Sequence, residues 1–325
     1  MATRPRQRSR SLVQESGVSV FAITGANGQL GRRLVRSLAE LEPGVPVRAL
    51  VRSAAAAASL GNLVATHPLL DVRTVDFSNP DSMGPALVGV TRVVHLVGIL
   101  RETPGNRYAD AHEGAVAALI AAASRNGVGQ LIALSILGAD ARHQNACLRS
   151  RGRADDLLRG SVVPATVLRV PMVLGGEDPA SRALAARARR SWSVTFRATS
   201  LEQPIDADDV VAALRSLLGV PLGDLAPLAG AALDLAGPES LSRKALIDRA
   251  AALVGQQTRV FSLPVAFGYA LAFALERALK AAPVTRAMLG VLDHDDCIDP
   301  APAAARLGIE LTPLDMTLRR VMALA

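Results

Sequence analysis

The sequence predicts an α/β fold: a doubly wound parallel sheet with helices on both faces, joined to a small C-terminal α/β subdomain. Three observations lead there. Strand-like and helix-like patterns alternate through the first 175 residues. A glycine-rich turn, T-G-A-N-G-Q-L-G at 24–31, separates the first strand pattern from the first helix pattern. Half of the 325 residues are hydrophobic and a fifth are charged, which is material for a sizeable core.

The elements follow in order. Residues 18–23 form a short apolar run, suited to a buried parallel strand. After the turn, R-R-L-V-R-S-L-A-E-L reads as a helix with Leu34, Val35 and Leu38 inward. Residues 45–51 give a second strand, 69–75 a third, 82–87 a short helix, and T-R-V-V-H-L-V-G at 91–98 a fourth strand. An alanine-rich helix covers 111–125. The fifth strand spans 129–134 and ends in Ser135; a helix starts near Leu148 and runs through Leu158; T-V-L-R-V-P-M-V at 166–173 is the sixth strand.

Beyond residue 175 the rhythm loosens. Residues 181–190 suit a short basic helix, and 206–218 a helix with acidic residues in its first turn. A strand at 232–236 and a helix at 242–254 follow. The stretch 261–279 is mostly apolar and long enough for a five-turn helix. Burial between domains is its default; docking on a membrane or protein partner is the alternative. No run of 18 or more apolar residues occurs, so no transmembrane helix is expected.

Charge narrows the function classes. The formal net charge is +7, from 36 Lys and Arg against 29 Asp and Glu. That balance permits contact with phosphate, an anionic membrane surface or an acidic partner. No dense basic stripe is interleaved with aromatics, so nucleic acid is not expected. Cys147 and Cys297 are read as two free thiols in a reducing compartment, and the histidines are scattered. D-H-D-D at 293–296 is read as a solvated acidic turn rather than a metal site. The first residues carry four arginines and no apolar core; they are not a secretory signal and read as a basic flexible tail able to touch anionic lipid.

The turn at 24–31 carries the chemistry. A strand–turn–helix rich in glycine exposes main-chain N–H groups to phosphate. Gly25 permits the tight turn, Gly28 the close approach of a pyrophosphate, and Gly31 the packing of helix on sheet. Asn27, Gln29 and Leu30 complete the cradle. This is a Rossmann-type dinucleotide turn. No carboxylate stands at the tip of the second strand to take a ribose hydroxyl; Arg52 stands there, which favours NADP(H) over NAD(H), with Arg32 and Arg33 placed to assist. Asp76 can accept from the adenine amino group, with Phe77 beside it, and Val97 and Gly98 let the loop after the fourth strand pass close to the cofactor. Residues 1–16 are thus the tail, 17–175 the nucleotide-binding core, and 176–325 a mixed region that completes the core and forms the substrate or partner subdomain.

These residues together resemble the extended and atypical short-chain dehydrogenase/reductases, and within them the NAD(P)-binding branch that includes the 39-kDa accessory subunit of respiratory complex I. V-G-I-L-R-E-T at 97–103, A-L-S-I-L-G-A-D at 133–140, V-L-R-V-P-M-V-L-G-G-E-D at 167–178 and P-I-D-A-D-D-V-V-A-A-L at 204–214 carry the likeness, which covers roughly 16–320. Active members of the superfamily hold Y-x-x-x-K: the tyrosine moves the substrate proton and the lysine holds the nicotinamide ribose. Aligned on Ser150, this chain places Cys147 where the tyrosine stands and Arg151 where the lysine stands. The resemblance leaves Ser135 as the hydroxyl at the end of the fifth strand and Arg151 as a cation for ribose or phosphate.

A cysteine is shorter than a phenol and its hydrogen bonds are weaker, and arginine stays charged. The expectation is therefore an NADP(H)-binding protein with a degenerate site and no catalytic tyrosine in that helix. Its role would be accessory, assembly or regulatory, with a respiratory complex or a membrane surface as partner. One alternative is an NADPH-dependent reductase of a quinone, enone or small carbonyl; another is an NmrA-like redox-sensing regulator. The expected place is the cytoplasm, peripheral on the inner membrane face, or an organellar matrix in a eukaryote.

Overall fold

A computed structural model describes residues 19–219, 228–279, 282, 285–292 and 294–324. The basic tail, 1–16, and Asp293 of the acidic turn lie outside them.

Seven parallel strands form the central sheet: β1 (Phe21–Thr24), β2 (Val47–Val51), β3 (Leu70–Thr74), β4 (Arg92–His95), β5 (Gln130–Ile136), β6 (Ala165–Val170) and β7 (Ala231–Asp234). Their order is β7-β6-β5-β4-β1-β2-β3. Thr24 pairs with Leu50 on one side and His95 on the other, so the carboxyl ends of β1, β2 and β4 reach one edge together. The strand order reverses between β1 and β4, and such a switch point opens a crevice for a ligand.

The strands are apolar on both faces because helices cover both. On one side Leu34, Val35 and Leu38 of the helix Gln29–Leu41 pack with Val210 and Leu214 of the helix Ala207–Leu217. On the other lie Met83, Leu87, Leu119 and Leu158 from the helices Pro80–Leu87, Ala115–Arg125 and Ala146–Arg159. Each fully buried leucine stabilises the fold by about 1.5–3 kcal/mol. A third, smaller cluster gathers Leu184, Leu246, Ile247, Leu318 and Val321 from the C-terminal half.

Several elements differ from the sequence reading, each for a local reason. β4 is shorter than 91–98, because the chain leaves the ladder after the Leu96 N–H donates to the Thr24 carbonyl at 3.2 Å. The sixth strand stops at Val170, before Pro171, and resumes as Val173–Leu174, which pairs with Ile205–Asp206. The helix expected at 111–125 opens as a wider π turn, Asp110–Gly114.

The stretch 261–279 is the main correction. It is not one helix, and it is not buried. Arg259–Leu263 is a strand paired in parallel with Trp192–Phe196; Pro264 ends it and begins the helix Val265–Ala278. Only Gly268 and Ala272 of that helix are buried. No described helix is long and apolar enough to cross a membrane.

Candidate active site

The glycine turn is held by the main chain. Gly25 has φ +70°, and its N–H donates to the Leu50 carbonyl at 3.0 Å. A side chain there would meet the Leu96 carbonyl at 3.3 Å, so the turn and the β4 loop touch across the switch point. The Gly28 N–H donates to the Gly25 carbonyl at 2.9 Å, and Gly28 caps the helix without a side-chain acceptor. The amides of a helix's first turn have no intrahelical acceptor, and here Gln29, Leu30 and Gly31 supply them. A Cβ on Gly31 would stand 2.6 Å from the Gly25 oxygen and 2.7 Å from the Ala26 Cα. This cradle, which side chains would fill, fits a pyrophosphate.

The two arginines after the turn separate. Arg32 Nε donates to the Asn27 carbonyl at 2.8 Å and staples the turn. Arg33 pairs with Asp208 at 2.6 Å and also donates to the Gly175 carbonyl. Arg33 is therefore committed to the Ala207–Leu217 helix, not to a phosphate. Arg52 is exposed at the end of β2, with no hydrogen bond or ion pair to another described residue. Asp76, also exposed, accepts from the Ser78 N–H at 2.9 Å and the Ser78 hydroxyl at 2.6 Å; those bonds hold its carboxyl below the usual range. Phe77 packs half-buried beside it.

The corner at Cys147 is assembled differently. Asn145 caps the helix Ala146–Arg159: its Oδ1 accepts from the Cys147 N–H at 2.9 Å and the Leu148 N–H at 3.2 Å. Its Nδ2 donates to the Ala287 carbonyl at 2.8 Å, tying in the helix Arg286–Leu292. Cys147 is fully buried, and its thiol donates to the Ile99 carbonyl at 3.7 Å. Burial pushes the thiol up to about 11; the nearby Arg151 charge opposes this and loses.

Arg151 follows one turn later on the same helix face. Its Nη1 donates to the Val97 carbonyl at 3.3 Å and the Leu134 carbonyl at 3.4 Å. A Cβ on Gly98 would overlap Nη2, at 1.6 Å. Gly98 thus makes room for the guanidinium, a reason the sequence reading did not contain. Ser135 is buried at the end of β5, and its charged neighbour is Asp155, which accepts from Arg169 Nε at 2.8 Å.

Sequence reasoning left three of the corner's groups unplaced. Tyr108 is buried and donates its phenol to the Leu100 carbonyl at 2.9 Å. The phenol lies beside Cys147; burial first, then the thiol and Glu102, raise its pKa. His112, its ring centroid 5.6 Å from that of Tyr108, stands within hydrogen-bond distance of the Ile99 main chain. His95 meets the Thr24 hydroxyl at 2.8 Å. Burial, then Arg151, pushes both histidines down to about 3. Tyr108 and His112 are four residues apart and share one helix face, but that spacing does not state which elements the face meets. At neutral pH the corner holds a phenol, a thiol, two neutral imidazoles and one fixed cation.

Beside it opens a cavity of about 1250 Å³, lined by Glu102, Tyr108, His143, Asn145, Tyr269 and Arg286 among others. The helices Val265–Ala278 and Arg286–Leu292 wall it, and no residue of the glycine turn lines it. The cavity is a substrate-sized space on the Tyr108 side of the corner. The acidic turn is engaged in structure: Asp295 accepts from Ser200, the Leu201 N–H and Arg197, and burial pushes Asp296 up to about 7.

Known proteins share this architecture. The chain is 26% identical over 270 residues to the mitochondrial NADH dehydrogenase [ubiquinone] 1 alpha subcomplex subunit 9 of Arabidopsis thaliana, over 79% of this chain and 63% of that protein. It therefore spans less than two thirds of that relative's length. It is 27% identical over 251 residues to a ceramide reductase of Caulobacter vibrioides, covering 75% of this chain and 74% of that one. Among solved structures, a Citrobacter triphenylmethane reductase complexed with NADP(H) superposes with a TM-score of 0.73 at 18% identity, over 93% of this chain and 99% of that one. The NAD(P)H-binding family matches residues 25–198, more than half the chain. With a glycine cradle at the switch point of a parallel sheet, and with that match over more than half its length, the chain belongs to the NAD(P)H-binding family.

Proposed function

We propose that this protein holds NADP(H) across the turn after β1 and serves as an accessory, assembly or regulatory component, with a respiratory complex as its partner. One observation carries the reading. The residue in the tyrosine place is a fully buried thiol, kept protonated and donating to the Ile99 carbonyl. Arg151, in the lysine place, is spent on two carbonyls. That pair does not form the tyrosine–lysine proton path. The preference for NADP(H) rests on Arg52, an exposed guanidinium without a partner among the described residues, at the tip of β2. The respiratory partner, and a peripheral cytoplasmic or matrix location, rest on likeness to the Arabidopsis subunit.

Purification from the native host, with mass spectrometry of bound nucleotide and co-purifying proteins, tests this reading. NADP(H) together with respiratory subunits is the expected result. A preparation carrying neither overturns it.

Tyr108 favours a second reading. It brings a phenol to the corner from the loop after β4, and it lines the cavity. A bound cofactor would supply hydride chemistry there. Tyr108, neutral up to high pH, would hold the proton for a carbonyl oxygen in the cavity and regain it from solvent. The Caulobacter relative is a ceramide reductase, so ceramide-type lipids belong in the assay beside quinones and enones. NADPH oxidation that Tyr108→Phe abolishes would replace the first reading with this one.

A further inference from the structure

Two neighbouring elements invert the usual arrangement of a surface strand and helix. In the strand pair, Ser193 and Thr195 are buried while Trp192 and Val194 are exposed. Register sets Val194 beside Phe261 and Phe196 beside Leu263, so the outer face is apolar on both strands. Trp192 is 59% exposed and Phe261 54%. The helix Val265–Ala278 follows directly and packs against Phe196 at Gly268, where a Cβ would stand 3.1 Å from the ring. Its Phe267 and Leu271, one turn apart on the helix, are 70% and 55% exposed. Large exposed apolar side chains grouped on two adjoining elements mark an interaction site.

We propose that this face docks in the interfacial layer of an anionic bilayer. The charge around it selects that occupant. Of the five arginines in residues 182–197, Arg197 pairs with Asp295, and Arg182 and Arg189 donate to the Glu177 and Met322 carbonyls, while Arg190 remains for this face. Trp192 is flanked by Arg190, next in the chain but one, and by Arg259, its cross-strand partner. Both are exposed, and neither guanidinium has a hydrogen bond or ion pair to another described residue. The one acidic residue of 259–279, Glu276, pairs with Arg286. A second copy meeting this face would bring like charges together with no carboxylate to receive them. Anionic headgroups receive them, while Trp192, Phe261 and Phe267 enter the acyl boundary. The helix has 14 residues, too few to span, so it lies in the plane of the interface. Its other side turns Tyr269 and Glu276 to the cavity, which docking sets at headgroup level.

The test is flotation of the purified full-length protein with vesicles of phosphatidylcholine, alone or mixed with phosphatidylglycerol. Binding to the mixed vesicles, weak on the neutral ones and suppressed by salt, is expected. The Phe267→Asp, Leu271→Asp double variant should lose it, and Arg190→Ala with Arg259→Ala should weaken it roughly tenfold. Thermal melting and NADPH fluorescence show that each variant is folded, and they read the nucleotide site separately. Binding that survives the aspartates would belong to the basic N-terminal residues and overturn the proposal. So would equal binding to both vesicles, or a solution dimer that the aspartates dissociate.

Discussion

At the turn after β1 the polar groups on offer are main-chain amides, set by glycines within seven residues of sequence. At the corner beside it they are side chains of Tyr108, His112, Cys147 and Arg151, brought together from two segments and fastened to the carbonyls of a third, 97–100. Both lie on the carboxyl edge of one sheet. A backbone site tolerates change in every residue but its glycines. A side-chain site can keep its place in the fold and exchange its chemistry. Recognition of a nucleotide and turnover of it are therefore separable properties of this fold.

The largest effect should come at the turn. A valine at Gly31 puts carbon against the Gly25 oxygen and the Ala26 Cα, and neither main-chain atom can swing away. Gly31→Val should cost about 1–3 kcal/mol of stability. Through displacement of the helix N-terminus it should weaken NADPH binding roughly a hundredfold or more. Cys147→Ala should leave that affinity within about twofold, since the thiol donates to the Ile99 carbonyl and not to the turn. Fluorescence titration of both variants checks the contrast, and equal losses would break it.

Next in size is a pH effect that belongs to the corner alone. His95 and His112 are held down to about 3 in the folded protein, against an ordinary value of 6.5. The unfolded chain binds protons that the folded chain refuses. The stability they contribute is complete above about pH 6.5 and is lost as pH falls from there toward 3. At about 1.4 kcal/mol per unit, each histidine should cost roughly 2–3 kcal/mol by about pH 4.5. Denaturant melts across that range should show the decline, and His112→Gln should flatten it. An unchanged slope would place the titration elsewhere.

How much of this the residues announced follows from the same contrast. The parallel strands, the turn and the helix that carries Cys147 were legible, because period, glycine spacing and strand–helix alternation are local signals. Tyr108 was not, because nothing in R-Y-A-D-A-H states that its helix face meets Cys147 from across the β4 loop. Gly98 was read as letting its loop pass close to a cofactor; that its missing Cβ also makes room for Arg151, a residue 53 positions later, was not legible. The apolar stretch 261–279 misled for another reason. Hydrophobicity states that a surface wants cover, and tertiary structure alone states whether the chain itself supplies it. Here Pro264 divides the stretch into a strand and a helix that both face outward.

A smaller effect sharpens the turn's side of the comparison. Arg52→Ala removes a charge that has no partner among the described residues. A charged hydrogen bond to the 2′-phosphate contributes about 1.5–3 kcal/mol, so NADPH should weaken about tenfold or more while NADH changes little. Calorimetric titration with both nucleotides decides it. Equal loss of both would remove Arg52 from the phosphate site.

The smallest expected change is at Tyr108. Phenylalanine keeps the ring beside His112 and removes only the hydroxyl that donates to the Leu100 carbonyl. One such bond is worth about 0.5–1.5 kcal/mol net, so Tyr108→Phe should lower the melting temperature by a few degrees. NADPH affinity should stay within about twofold, because no atom of Tyr108 holds the turn. If affinity instead falls tenfold, the two regions are not independent. The loop 97–100, which accepts from Tyr108, Cys147 and Arg151 and touches Gly25, would then be the element that couples them.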